Sequence, residues 1–209
     1  MLPGLLAGIM QQVIFLGMAL VFARDFEDGY FGKLVDKSNN ALYHILLKAT
    51  PFLLMLPIMW FGVGMFLPFF NVDASIFSAP MIILATLLTI ASMCIGMLFS
   101  IAIPSQLKAT ELLMVISTPA FVLSGFTWPT MAIPAAITNV AQYIPLTQFL
   151  SGFRKVAFYG GDLNSINTEV NMLILITAVA FIAMVVLLQL KIYLFKKKSK
   201  TKVSTNLGS

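Results

Sequence analysis

The side chains of this chain that could do chemistry are few: Ser117, Ser124 and Ser151, one histidine at His44, one cysteine at Cys94, and acids at Asp25, Glu27, Asp28 and Glu111. A hydroxyl nucleophile needs a base within hydrogen-bond reach. None of the three serines has a base partner in the sequence, so an intramembrane serine hydrolase is unsupported. His44 stands alone with no carboxylate cluster to complete a metal site, and reads as an interfacial or hydrogen-bonded side chain. Cys94 lies inside an apolar run, which excludes an internal disulfide or a thiolate metal site. No glycine loop with its Lys and Ser or Thr is present to cradle phosphate, so the chain does not itself bind ATP in that manner. Catalytic, cofactor and metal residues are therefore all expected to be absent, and energy for any transport must come from another chain.

The elements that would carry such groups explain the scarcity. Of 209 residues, 59% are hydrophobic and only 10% charged, where a soluble domain has roughly a quarter charged. This is an integral membrane protein. The formal charge of +5 does not mark a nucleic-acid surface, because the basic residues sit between and after apolar runs rather than in a stripe. Residues 1–23 lack a basic leader and are too long for a signal-peptide core, so they read as a retained span.

Five stretches carry no Asp, Glu, Lys or Arg: 1–23, 49–72, 74–107, 112–153 and 170–190. Each reaches the roughly 20 residues a helix needs to cross a bilayer core. The run 112–153 is 42 residues long, enough for one crossing or two. Short cytoplasmic loops carry the excess of Lys and Arg, and this decides. A single crossing puts Arg24, Lys33, Lys37, Lys48, Lys108, Lys191 and the tail lysines on one side and only Arg154 and Lys155 on the other, eleven against two. Two crossings would give seven against six.

The predicted fold is therefore all-α integral membrane, with about five transmembrane helices near 3–23, 49–70, 77–103, 110–128 and 170–192. The N-terminus is expected outside and the C-terminus in the cytoplasm. Residues 129–158 would begin and end on the external side as a re-entrant helical hairpin, because Pro129, Pro134 and Pro145 interrupt helix there. Its Asn139, Gln142, Gln148 and Arg154 are costly facing lipid and are expected toward protein or a water-filled vestibule. In the cytoplasmic segment 24–40, acids precede bases, as a helix dipole favours. Phe26, Tyr30, Phe31, Leu34 and Val35 recur at helical spacing, which fits either a membrane-surface helix or a partner-docking one. Ala91, Ser92, Gly96 and Ser100 are spaced for close helix packing. Residues 196–209 read as a basic, disordered cytoplasmic tail that meets anionic lipid heads.

Residues 104–162 resemble the membrane subunit of type-2 ABC transporters. The resemblance rests on Gln106, Pro119, Leu123-Ser124-Gly125-Phe126, Trp128-Pro129, Pro134, Pro145-Leu146-Thr147, Arg154 and Gly161 in that order. Pro3-Gly4, Arg24 with Glu27 and Gly29, and Lys48 before Pro51 agree with it. The resemblance implies a transmembrane domain over 1–195 of a bacterial inner-membrane export permease. That permease would pair with a second copy or homologue and dock on cytoplasmic ATPase subunits that hold ATP and Mg. It makes 24–40 the coupling segment, with Arg24, Asp25, Phe26, Glu27, Tyr30, Phe31 and Leu34 as ATPase-coupling candidates. Ser124, Gly125, Phe126, Trp128, Pro129, Pro134, Pro145, Thr147 and Arg154 become re-entrant gate candidates. The exported substrate would be drug-like, lipid or otherwise hydrophobic, moved by alternating access. Two departures stand out: the family's usual first span and external domain are missing, and Gly29-Tyr30-Phe31-Gly32 stands where many relatives carry Gly-Thr-x-Glu. The first of these makes a truncated, non-transporting scaffold or assembly factor the alternative expectation.

Overall fold

The computed structural model describes residues 2–66, 78–123 and 139–207. All regular structure among them is helical: α1 (Leu2–Glu27), α2 (Phe31–Lys37), α3 (Ala41–Phe66), α4 (Ala79–Ala102), α5 (Gln106–Leu123), α6 (Pro145–Tyr159), a 3-10 turn (Leu163–Ile166) and α7 (Asn167–Leu207). Helix is the expected outcome for apolar runs of this length, since a lipid-embedded backbone must satisfy its own polar groups. Among the described residues four segments are long and apolar enough to cross a membrane: Gly4–Glu27, Ala41–Met65, Ala79–Ala102 and Leu163–Lys197. The fifth expected span, 110–128, starts within α5 and runs past the described residues at 124.

Packing sets the helix directions. Ala7 of α1 clusters with Met81 and Leu84 at the start of α4, and Phe22 and Ala23 near the end of α1 meet Ser100 near the end of α4. These two helices are therefore parallel. Lys191 of α7 reaches the carbonyl of Ile101, while Ile166 and Leu173 lie beside Met81, so α7 runs the same way. In contrast α3 and α5 run back. Ala41 meets Gln189, Lys48 meets Asp25, and the Gln106 amide donates to Glu27 at 3.1 Å. One end of the bundle thus carries α2, with Arg24, Lys48, Lys108 and Lys191 around it. The other carries α6 with Arg154 and Lys155.

The core is built around α1 and α4. A Cβ placed on Gly96 would lie 2.6 Å from the Met18 Cβ, so the two backbones approach as closely as only a glycine permits. Ser92, fully buried, and Ser100 extend this seam at four-residue spacing, the small-residue packing the sequence pointed to. Ser100 Oγ accepts from the Phe22 and Ala23 amides at 2.9 and 2.8 Å. In a bilayer such an interhelical bond is worth about 0.6 kcal/mol on average. Ser100→Ala removes both bonds and should therefore lower thermal stability in mild detergent modestly, by about 1 kcal/mol.

Three boundaries differ from expectation. The second span begins at Ala41 rather than 49, because Lys48 does not end it. Its ammonium bonds Asp25 and the Val21 carbonyl, which keeps the charge paired while the stem packs along α1. Residues 24–40 are not one helix, since α1 continues to Glu27 and the chain turns at Gly29, whose φ of +71° suits glycine. Residues 196–207, expected as a disordered tail, continue α7, which contains neither Gly nor Pro to stop it.

Candidate functional site

The α2 end is assembled from four helices. α2 has seven residues and buries Phe31 and Val35. Phe31 stacks on Phe26 of α1 at 4.5 Å between ring centroids and meets Phe195 of α7 edge-on at 5.6 Å. Such aromatic pairs add about 0.5–1.5 kcal/mol beyond area burial, enough to seat a helix too short to persist alone. Lys191 lies over the Phe26 ring at 4.3 Å and Lys48 over Phe22 at 4.8 Å. The link to α3 is tied down as well: the His44 ring Nε2 is 2.9 Å from the Ser38 carbonyl, and Gln189 bonds both Ala41 and Asn39.

This packing divides the coupling candidates. Phe31 is buried, with 7% exposure, Phe26 packs beside it in the same cluster, and Leu34 is half-buried. Periodicity marks apolar residues, and this chain buries them itself. Asp25 is committed to Lys48, and Glu27 accepts from the Gln106 amide. Tyr30, immediately before α2, is 53% exposed with Lys33 over its ring at 4.7 Å, and Asp36 and Lys37 of α2 are exposed as well. Arg24 and Asp28 form an exposed i,i+4 pair at 3.5 Å beside it. Lys33 and Asp28 were not among the candidates; their i+3 and i+4 positions relative to Tyr30 and Arg24 were the available signal.

At the opposite end, α6 is amphipathic. Leu146, Phe149, Leu150, Phe153 and Val156 are buried against Met81, Leu84 and Leu88 of α4 and Leu173 of α7. A Cβ on Gly152 would sit 2.7 Å from Leu84, so α6 lies tight on the first half of α4. That depth is within the apolar length of α4. Pro145 occupies the first turn of α6, where its missing N–H costs nothing. Gln148 is buried and donates to the Gln142 carbonyl at 2.7 Å. Thr147 and Arg154 lie half-buried on α6. The remaining gate candidates, Ser124, Gly125, Phe126, Trp128, Pro129 and Pro134, fall outside the described residues.

Sequence reading missed the group that anchors this end. Glu169, 5% exposed at the start of α7, accepts from Ser151 Oγ at 2.8 Å and pairs with Lys155 Nζ at 2.7 Å. Ser151 and Lys155 are one turn apart on α6, which was legible, but their partner lies beyond a loop. The carboxylate fixes the serine in place. Removing it in Glu169→Ala strands a half-buried hydroxyl and an ammonium, a loss of about 1–3 kcal/mol. The lower half of that range is expected, since Lys155 is 39% exposed and water can replace part of the loss. Glu169→Gln, which keeps an acceptor for Ser151, should lose less. Thermal unfolding with limited proteolysis across 139–166 measures both.

Among the described residues no group of His, Cys, Asp or Glu is arranged to hold a metal. A family model described as ABC-2 type transporter matches residues 1–158. Neither a curated protein nor a solved structure matches the chain.

Proposed function

Because the chain belongs to the ABC-2 type transporter family and is a multi-pass membrane permease component of an ABC transporter, we propose that it is the permease subunit of an ATP-driven exporter. Cytoplasmic ATPase subunits dock on α2, and the membrane unit contains a second copy or a homologue. α6 with the residues before it forms the external gate. The observation that carries this reading is α2 itself. It is a short helix held rigidly at one end of the bundle by Phe26 and Phe195, with Tyr30 and Lys33 left to the outside.

In this reading ATP-driven closure of the ATPase pair pushes α2, and the spans rock to open a path for a drug-like or lipid-like molecule. The exposed Leu54, Ile58 and Phe61 on α3 suit an apolar substrate drawn from the bilayer. The α2 end lies in the cytoplasm in this reading, which the excess of Lys and Arg on that side supports. The membrane is the bacterial inner one.

Purification in mild detergent from the native membrane should bring an ATPase with a phosphate-binding Lys loop, and vesicles holding both should accumulate a hydrophobic dye on adding ATP and Mg. Absence of any ATPase across several detergents would sink the reading. Orientation is checked separately by single cysteines. Thr138→Cys should label from outside and Ser204→Cys only from the cytoplasm, and labelling from one side would overturn it.

A further inference from the structure

Among the long described helices, α7 alone has no proline or glycine. α1 contains Pro3, Gly4, Gly8 and Gly17, α3 contains Pro51, Pro57, Gly62 and Gly64, α4 contains Pro80 and Gly96, and α5 contains Pro119. α7 runs unbroken for 41 residues. Sharp bends in helices arise at prolines, at glycines and where side chains enter the hydrogen-bond ladder. α3 has two prolines mid-span, and α1 has Ser100 and Lys48 bonded to its backbone at Val21–Ala23. Of the helices that touch α2, α7 is thus the stiffest.

It is also gripped at both ends by side-chain hydrogen bonds to the elements it would move. At the α2 end, Gln189 Oε1 accepts from the Ala41 amide at 3.3 Å while its Nε2 donates to the Asn39 carbonyl at 3.4 Å, so one side chain holds the link from α2 to α3. Phe195 rests on Phe31. At the far end Glu169 holds α6 through Ser151 and Lys155. Gln189 and Glu169 are 20 positions apart, about 30 Å of helix and about the thickness of a bilayer core.

We propose that α7 is the rod that carries a displacement of α2 to α6, with Gln189 and Glu169 as the positioning residues at its two grips. This deepens the permease reading and rests on it for the roles of α2 and α6, but the mechanical link is a property of the chain alone. A push that reached α6 through α3 would be absorbed at Pro51 and Pro57. Through α7 it arrives as a translation of Glu169, and α6 follows because two hydrogen bonds tie it there.

A wedge already exists in the sequence. A Cβ on Gly32 would lie 3.1 Å from Phe195 Cζ, so Gly32→Phe forces α2 away from α7. With Cys94 replaced by Ala, nitroxide pairs at Lys33–Leu54 and Phe158–Leu54 report the two ends by pulsed electron spin resonance in lipid nanodiscs. Gly32→Phe should shift both distances. Adding Glu169→Leu should leave the Lys33 shift and abolish the Phe158 shift, and Glu169→Gln in its place should restore at least half of it. Should the wedge fail to fold, Gly32→Leu supplies a smaller one, and Gln189→Leu should then remove its Phe158 component. A Phe158 distance that stays put while Lys33 moves, or that still shifts with Glu169→Leu, overturns the proposal. No ATPase enters the experiment, so its failure leaves the permease reading standing, and failure to find an ATPase leaves the rod standing.

Discussion

Gly96→Leu should lose a large share of the protein's stability, while Gly96→Ala should fold with a smaller but clear loss. The reason is geometric. The added Cβ meets the Met18 Cβ at 2.6 Å and approaches the Phe15 carbonyl at 3.5 Å, and neither is the free end of a flexible side chain. Overpacking of a tight core costs about 1–3 kcal/mol where neighbours can shift, and Ala at this position belongs in that range. Leu adds three further carbons at a place where only separation of α1 and α4 makes room. That separation also removes both Ser100 bonds and opens the cluster that joins Met18, Phe22, Met93, Met97 and α7. A loss above about 3 kcal/mol is expected, set against a total stability of only about 5–15. Size-exclusion profiles and thermal unfolding in mild detergent measure it. A monodisperse Gly96→Leu protein with wild-type melting would refute the close approach of these two helices. Ala introduced at Gly62, where no atom lies within 4 Å of the added Cβ, is the matched control and should be nearly silent.

The second large effect separates the two faces of α2. Tyr30→Ala with Lys33→Glu should leave folding unchanged and weaken association with the ATPase by about 30-fold, the consequence of losing a tyrosine anchor of about 2 kcal/mol at an interface. Export in vesicles should fall with it. Phe31→Ala should do the reverse, costing about 3–5 kcal/mol of stability as a buried aromatic is deleted. Any export lost there would follow the loss of folded protein. Titrating ATPase against the purified permease, alongside melting curves, distinguishes the two. If Phe31→Ala folds normally and alone abolishes docking, Phe31 is a contact residue after all, and the inward packing on Phe26 and Phe195 does not persist in the bilayer.

That second contrast shows how far the chain could be read unaided. Asp25 to Lys37 has a helical spacing of apolar residues, and the spacing was legible. Its direction was not. An apolar stripe faces whatever covers it, and here the cover is Phe195, 164 positions along the chain from Phe31. Lys48 was similarly visible as a charge and invisible as part of a span, because its partner Asp25 and the Val21 carbonyl come from another helix.

What the sequence determined by itself was the medium and the scaffold. Apolar runs of bilayer length have no other stable solution than helix, and the spacing of Ser92, Gly96 and Ser100 marks a seam of close packing wherever its partner lies. Both are local properties, fixed by composition and by the 3.6-residue period. The tertiary structure decided which helix fills that seam, which face of α2 remains free, and that Glu169 anchors α6. Each of these depends on pairs of groups distant in the chain, such as Phe22 with Ser100 or Ala41 with Gln189. A hydrogen bond or a close backbone approach acts over a few ångströms, so only the folded arrangement of the helices could choose among the partners the sequence allowed.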